Sequence, residues 1–155
     1  ARSYMIFARN GDIIPLSFVK VNEEPVGQQV ISPKTAAQVR TMLESVVGPQ
    51  GTASKAQVAG YRIGGKTGTA EKLVNGRYSR TNNIGYFAGI GPMSKPRFII
   101  AVMVDDPSGA LRTGGSVAAP TAADLFASAL RAANVPPDSS ITDIIIPEVP
   151  LEESM

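Results

Sequence analysis

The stretch Val58–Gly76, VAGYRIGGKTGTAEKLVNG, decides how the chain is read. It ends a helical pattern and begins an extended one. Residues 59–73 read as a strand, and Asn75-Gly76 marks a tight turn after it. Two more strands are expected over 83–91 and 97–105. The link between them, Gly91-Pro92-Met93-Ser94-Lys95-Pro96, is only about six residues, whereas a parallel crossover needs a dozen or more. The second and third strands are therefore antiparallel neighbours.

Upstream, Ser32-Pro33 supplies an N-cap and a proline at the first helical position. Ala36, Val39, Leu43 and Val46 follow at helical spacing, so 33–47 reads as an amphipathic helix that Gly48-Pro49 ends. Residues 4–9 are a short apolar stretch, read as the end of a helix. Asn10-Gly11-Asp12 is a turn, and Ile13–Val21 reads as a strand or extended segment broken by Pro15. Downstream, Asp105–Gly109 is a turn and Gly114-Gly115 a flexible joint. A second helix is expected from Val117 to Ala133, with Leu125, Phe126, Ala129, Leu130 and Ala133 on its apolar face and Pro136-Pro137 closing it. Ile144–Pro147 reads as an extended segment, packed or free. The sum is an α+β domain, an antiparallel sheet flanked by helices.

Composition narrows the chemistry. The 155 residues contain no His, no Cys and no Trp. A Ser-His-Asp triad, a His general base, a thiol nucleophile and a Cys-ligated metal are excluded within this chain. Any chemistry must run on Lys, Ser, Thr, Tyr, Arg, carboxylates and backbone amides. With 43% hydrophobic and 18% charged residues the composition is globular. The longest apolar run, Phe98–Val104, has seven residues, far short of the roughly 20 needed to cross a bilayer. The chain opens on Ala1-Arg2-Ser3, which reads as a start that was processed or cut from a longer protein. The net charge of +2 conceals an asymmetry. Residues 138–155 carry −5 and the rest +7, most of it in 55–97, where eight Lys and Arg stand against Glu71 alone. Such a basic region attracts anions, although charge alone names no ligand.

Three motifs carry chemistry. Gly60–Thr67 (GYRIGGKT) fits the phosphate-binding P-loop, which makes a nucleotide-binding module the alternative reading. Its context argues against that. Lys55–Ala59 is a poor strand, Gly68 follows Thr67 directly, and Asn75-Gly76 leaves no room for the required helix. Ser17-Phe18-Val19-Lys20 fits Ser-x-x-Lys, which places a serine nucleophile and a lysine on one helix face. Here it lies in an extended segment after Pro15, where positions three apart point to opposite faces, so Ser17 reads as structural. Lys66-Thr67-Gly68-Thr69 suits an edge strand. Lys66 brings a positive charge, and Gly68 lets another backbone approach closely. Thr67 and Thr69 offer hydroxyls to a carboxylate, and their amides can stabilise an oxyanion.

The surroundings give this tetrapeptide its meaning. Gly51-Thr52-Ala53, Val58–Ala70, Phe87–Pro92, Pro96-Arg97-Phe98, Asp106-Pro107-Ser108 and Gly114–Pro120 follow one another in a fixed order. In that order they resemble the C-terminal part of the transpeptidase domain of class B penicillin-binding proteins, most nearly the septal, cell-division type of Gram-negative bacteria. The resemblance covers about residues 4–137. It divides the chain into 1–137, a portion of that domain, and 138–155, an acidic tail. The fold it implies is the C-terminal portion of a penicillin-binding-protein or serine β-lactamase-like domain.

The resemblance also implies a mechanism. A serine attacks the D-Ala-D-Ala bond of a peptidoglycan stem peptide, D-Ala leaves, and an amine from a neighbouring strand resolves the acyl-enzyme. β-Lactams trap the serine, and a lysine is the base, consistent with the absence of His. Carried over, Lys66 and Thr69 are catalytic. Lys66, Thr67, Gly68 and Thr69 bind substrate or β-lactam, and the Thr69 amide forms half of the oxyanion hole. Tyr78, in the loop after the first strand, and Arg112 and Thr113, where relatives often carry paired aromatics, are further candidates for the β-lactam pocket. No metal, cofactor or nucleic acid is implied. The implied partners are the remaining N-terminal part of the transpeptidase and other division proteins. The implied location is the periplasmic face of the inner membrane, with an anchoring helix in the parent protein. Ser-x-Asn, the family's second motif, occurs nowhere in the chain. In related proteins that motif and the Ser-x-x-Lys helix precede the region corresponding to Ala1, so the resemblance implies a nucleophile in a preceding segment and an inactive stretch here.

Overall fold

The Asn75-Gly76 turn closes a long hairpin in the computed structural model, which describes residues 1–23, 25–141 and 144–145. Asn75 and Gly76 both take positive φ, 51° and 78°, as a two-residue hairpin turn requires. The turn joins β3 (Gly64–Val74) to β4 (Arg77–Gly91), and β5 (Phe98–Asp105) completes a sheet in the order β3-β4-β5. Both pairs are antiparallel, as the short link after Gly91 demands. The first strand begins at Gly64 rather than 59. The second begins at Arg77 rather than 83, because β4 continues from the turn and pairs Leu73 with Tyr78 and Val74 with Arg77.

The helix expected at 33–47 is α2 (Pro33–Val47), following a short α1 (Arg2–Ala8). Ser32 caps α2, its hydroxyl accepting the Thr35 N–H at 3.1 Å, and Pro33 takes the first position. The strand expected from Ile13 is mostly absent. Only β1 (Asp12–Ile13) pairs, with β2 (Gln28–Gln29). Pro15 lacks the N–H to continue the ladder, and residues 15–20 are exposed.

The second helix, α3 (Gly114–Ala132), starts three residues earlier than expected. Gly114-Gly115 is no flexible joint, because both residues are buried in its first turn. A Cβ at Gly114 would lie 2.1 Å from the Tyr86 carbonyl oxygen and 2.5 Å from that of Gly68. Only glycine lets the helix start this close to the sheet. The buried stripe of α3 runs through Ala118, Ala122, Phe126 and Leu130. Leu125, expected on that face, is 47% exposed, since it lies off the stripe. Phe126 and Leu130 pack with Phe87 of β4, Ile63, Val47 and Val135 in one core. On the other face, Gly64 faces α2, an added Cβ there meeting the Glu44 backbone at 3.1 Å. Among the described residues no helix is long and apolar enough to cross a membrane.

Candidate functional site

Lys66-Thr67-Gly68-Thr69 sits in the middle of β3. Within the described residues β3 pairs only with β4, so its outer edge carries unpaired strand backbone. The two-residue period separates the four side chains. Thr67 and Thr69 stand opposite Phe87 and Gly85 on the α3 face, while Lys66 and Gly68 stand opposite Ala88 and Tyr86 on the other. A cavity of about 400 Å³ opens on the Lys66 side, bordered by Gly68, Tyr86, Ala88, Met103 and Tyr4 of α1. Burial raises the Tyr4 hydroxyl above its ordinary value.

The threonine hydroxyls are anchored. Thr67 is 8% exposed, and its Oγ1 lies 3.1 Å from Thr52 Oγ1. The Lys66 ammonium folds along the strand, donating to the Thr67 carbonyl at 2.8 Å and to Thr67 Oγ1 at 3.3 Å. Thr69 Oγ1 accepts the Gly114 N–H at 3.2 Å, satisfying one of the orphan donors at the start of α3. The positive end of the helix dipole therefore lies beside Thr69. An added Cβ at Gly68 would meet Tyr86 only at ordinary contact, 3.7 Å. At Gly65 it would fall 2.4 Å from the Phe87 ring. Gly65 is thus demanded by the chain's own packing, and Gly68 is not.

The other sequence candidates fall in different places. Tyr78 lies in β4 rather than in a loop, and it is 74% exposed. It pairs with Leu73, four residues beyond Thr69, or about 13 Å along the strand. Arg112 donates to the carbonyls of Gly109 and Thr81, bracing the loop before α3 against β4. Thr113 is the N-cap position of α3, its Oγ1 2.9 Å from Ser116 Oγ, and so comes next to the Gly114–Thr69 contact. Lys72 bridges to Asp105 across the sheet at 2.7 Å, and that bond holds its ammonium above its usual range. Thr52 was not a sequence candidate, and its contact with Thr67 brings it to the candidate site. Its only sequence signal was its place in Gly51-Thr52-Ala53, the first of the ordered motifs.

Two motifs are settled by position. Lys66 and Thr67 lie inside a strand with no helix opening at them, so Gly60–Thr67 lacks the geometry of a P-loop. Ser17 is exposed in a bend, its hydroxyl bonded to the Val19 carbonyl at 2.7 Å, so Ser17 and Lys20 share no helix face.

Comparison with known proteins identifies the family. The family model "Penicillin binding protein transpeptidase domain" matches residues 1–127. The chain is 37% identical to the probable peptidoglycan D,D-transpeptidase PenA of Neisseria flavescens, over 97% of this chain and 38% of that protein. It is 39% identical to the peptidoglycan D,D-transpeptidase FtsI of Escherichia coli K12, over 92% of this chain and 24% of that protein. The transpeptidase domain of Burkholderia pseudomallei penicillin-binding protein 3 superposes with a TM-score of 0.82 at 45% identity, covering 89% of this chain and 42% of that one. The chain thus spans between 24% and 42% of these relatives. A match over most of its length, with the Lys-Thr-Gly-Thr strand on an open sheet edge, places the chain in the penicillin-binding protein transpeptidase domain family.

Proposed function

We propose that the chain supplies the substrate-binding and oxyanion strand of a serine-type peptidoglycan D,D-transpeptidase. The observation that carries this reading is the open edge of β3, where Thr67 and Thr69 share one face and Gly68 leaves the backbone unobstructed. A stem peptide ending in D-Ala-D-Ala, or a β-lactam, lies along that edge. Its carboxylate takes hydrogen bonds from the two hydroxyls. Thr69 Oγ1 already accepts from Gly114, so its own hydrogen is free to be donated. Lys66 raises the local positive potential, and the Thr69 amide stabilises the oxyanion.

The serine and its lysine base belong to a preceding part of the longer enzyme. The serine oxygen attacks the penultimate D-Ala carbonyl, the C–N bond breaks, and the terminal D-Ala leaves with the proton. An amine of a neighbouring stem peptide then displaces the serine, forming the cross-link. Relatives named as peptidoglycan D,D-transpeptidases support a peptidoglycan substrate, and in this reading the work serves the bacterial cell wall during division. In this reading the parent protein acts at the periplasmic face of the inner membrane, held by an N-terminal helix, beside other division proteins. Residues 1–137 form the domain portion, and the acidic segment 138–155 follows it, its first residues bonding back to Gly60. Arg112-Thr113, in place of paired aromatics, sets β-lactam side-chain preference and so bears on resistance.

A fluorescent penicillin tests the reading. The full-length parent protein becomes covalently labelled, whereas residues 1–155 alone do not. An unlabelled parent protein refutes the function. Labelling of residues 1–155 alone refutes the placement of the nucleophile.

A further inference from the structure

The β3–β4 ladder fixes its register chiefly through the buried Phe87 and Ile90 of β4, while many of its other positions are glycine. Gly64, Gly65 and Gly68 lie in β3, and Gly85, Gly89 and Gly91 in β4. Glycine-rich strands hold register weakly, and a one-residue slip exchanges the two faces. Such a slip would carry Lys66 to the α3 face and Thr67 and Thr69 away from it. The turn at Asn75-Gly76 cannot set the register alone, because the pairing is irregular between Glu71 and Leu73. The other end of the hairpin has no turn: the chain reaches β3 through Arg62 and leaves β4 into the bend that holds Met93 and Ser94.

That open end is closed by a residue from beyond α3. Asp138 Oδ1 accepts the Arg62 N–H at 2.7 Å, and Oδ2 accepts the Ser94 N–H at 3.1 Å, one oxygen for the segment entering β3 and one for the bend leaving β4. Between them the Met93 N–H bonds to the Arg62 carbonyl at 2.9 Å. Asp138 is itself fixed. Its N–H and that of Ser139 both donate to the Gly60 carbonyl at 3.1 Å, and the Gly60 N–H donates to Ile141 at 2.9 Å. From the opposite side the Arg62 guanidinium donates two bonds to Glu44 of α2, at 2.6 and 2.7 Å. The entry to β3 is thus gripped by α2 and by the segment after α3.

We infer that Asp138 is a positioning residue, a carboxylate staple across the open end of the β3–β4 hairpin that sets where Lys66–Thr69 is presented. The inference rests on the transpeptidase reading for its kinetic consequence but not for its structural one. Asp138 touches no reacting group and acts through Arg62 and Ser94. Displacing catalytic groups by about 1 Å can slow a reaction up to about a hundredfold.

The test uses the full-length protein with Asp138→Ala, Asp138→Glu and, as a core control, Val135→Ala. Amide hydrogen exchange over residues 62–69 and the penicillin acylation rate, split into binding and acylation steps, are measured beside the thermal midpoint. Asp138→Ala is expected to speed exchange at 62–69 and to slow the acylation step about tenfold or more. Asp138→Glu, which keeps both acceptor oxygens, recovers part of the rate. Val135→Ala lowers the midpoint without slowing acylation. Unchanged exchange at 62–69 in Asp138→Ala overturns the staple. So does an equal loss of rate in Val135→Ala at a matched midpoint. A wild-type protein that penicillin does not acylate refutes the transpeptidase reading instead, and the exchange measurement then still decides the staple.

Discussion

Replacing Gly114 by alanine tests the contact on which the site is built. The new Cβ would lie 2.1 Å from the Tyr86 carbonyl oxygen, 2.5 Å from that of Gly68 and 3.0 Å from the Tyr86 nitrogen. All three are backbone atoms of the sheet, so no side chain can swing aside. The first turn of α3 must retreat by roughly 1 Å. The Gly114 N–H to Thr69 Oγ1 bond, already 3.2 Å, then stretches beyond bonding distance. Overpacking costs about 1–3 kcal/mol, and the lost bond to a buried N–H adds about 1–3 kcal/mol. The better helix propensity of alanine returns less than about 1 kcal/mol. The net loss is about 1–5 kcal/mol, to be read by chemical denaturation of the full-length protein beside the penicillin acylation rate. Thr69→Val removes the same hydrogen bond from its other side. The double variant should therefore lose less than the sum of the single variants, by about 0.5 kcal/mol or more. A Gly114→Ala protein within about 0.5 kcal/mol of wild type, with an unchanged acylation rate, would refute the argument that α3 is seated on the Gly68–Thr69 backbone.

Three other substitutions separate binding chemistry from packing. Lys66→Ala, at an exposed position, should leave stability within about 0.5 kcal/mol but cut the penicillin acylation rate roughly a hundredfold, as measured by fluorescent labelling. Thr67→Val keeps the shape of a residue that is 8% exposed but strips the partner from Thr52 and Lys66, so a loss of about 1–2 kcal/mol on denaturation is expected together with slower acylation. Phe126→Ala opens the core between α3 and β4 and should cost about 3–5 kcal/mol, seen as an earlier unfolding midpoint.

The sequence alone determined what depends on neighbours along the chain. Ser32-Pro33 and Gly48-Pro49 bounded α2 because caps and prolines act within a turn. Asn75-Gly76 located the hairpin because few residues accept positive φ at both turn positions. The short link after Gly91 made β4 and β5 antiparallel by chain length alone. Lys66–Thr69 was legible as a candidate site because its residue types and ordered flanking motifs lie close together in sequence. Tertiary structure decided what depends on distant partners. Gly114 looked like a hinge until the sheet beneath it was seen, since a glycine required for close approach and one required for flexibility are the same letter. Thr52 joins the candidate site only through its hydroxyl contact with Thr67, fifteen residues away. Asp138 read as the first charge of an acidic tail, yet its two oxygens meet Arg62 and Ser94, 76 and 44 residues away. A single carboxylate carries no local pattern, so its role emerges only when folding brings both strand ends to it.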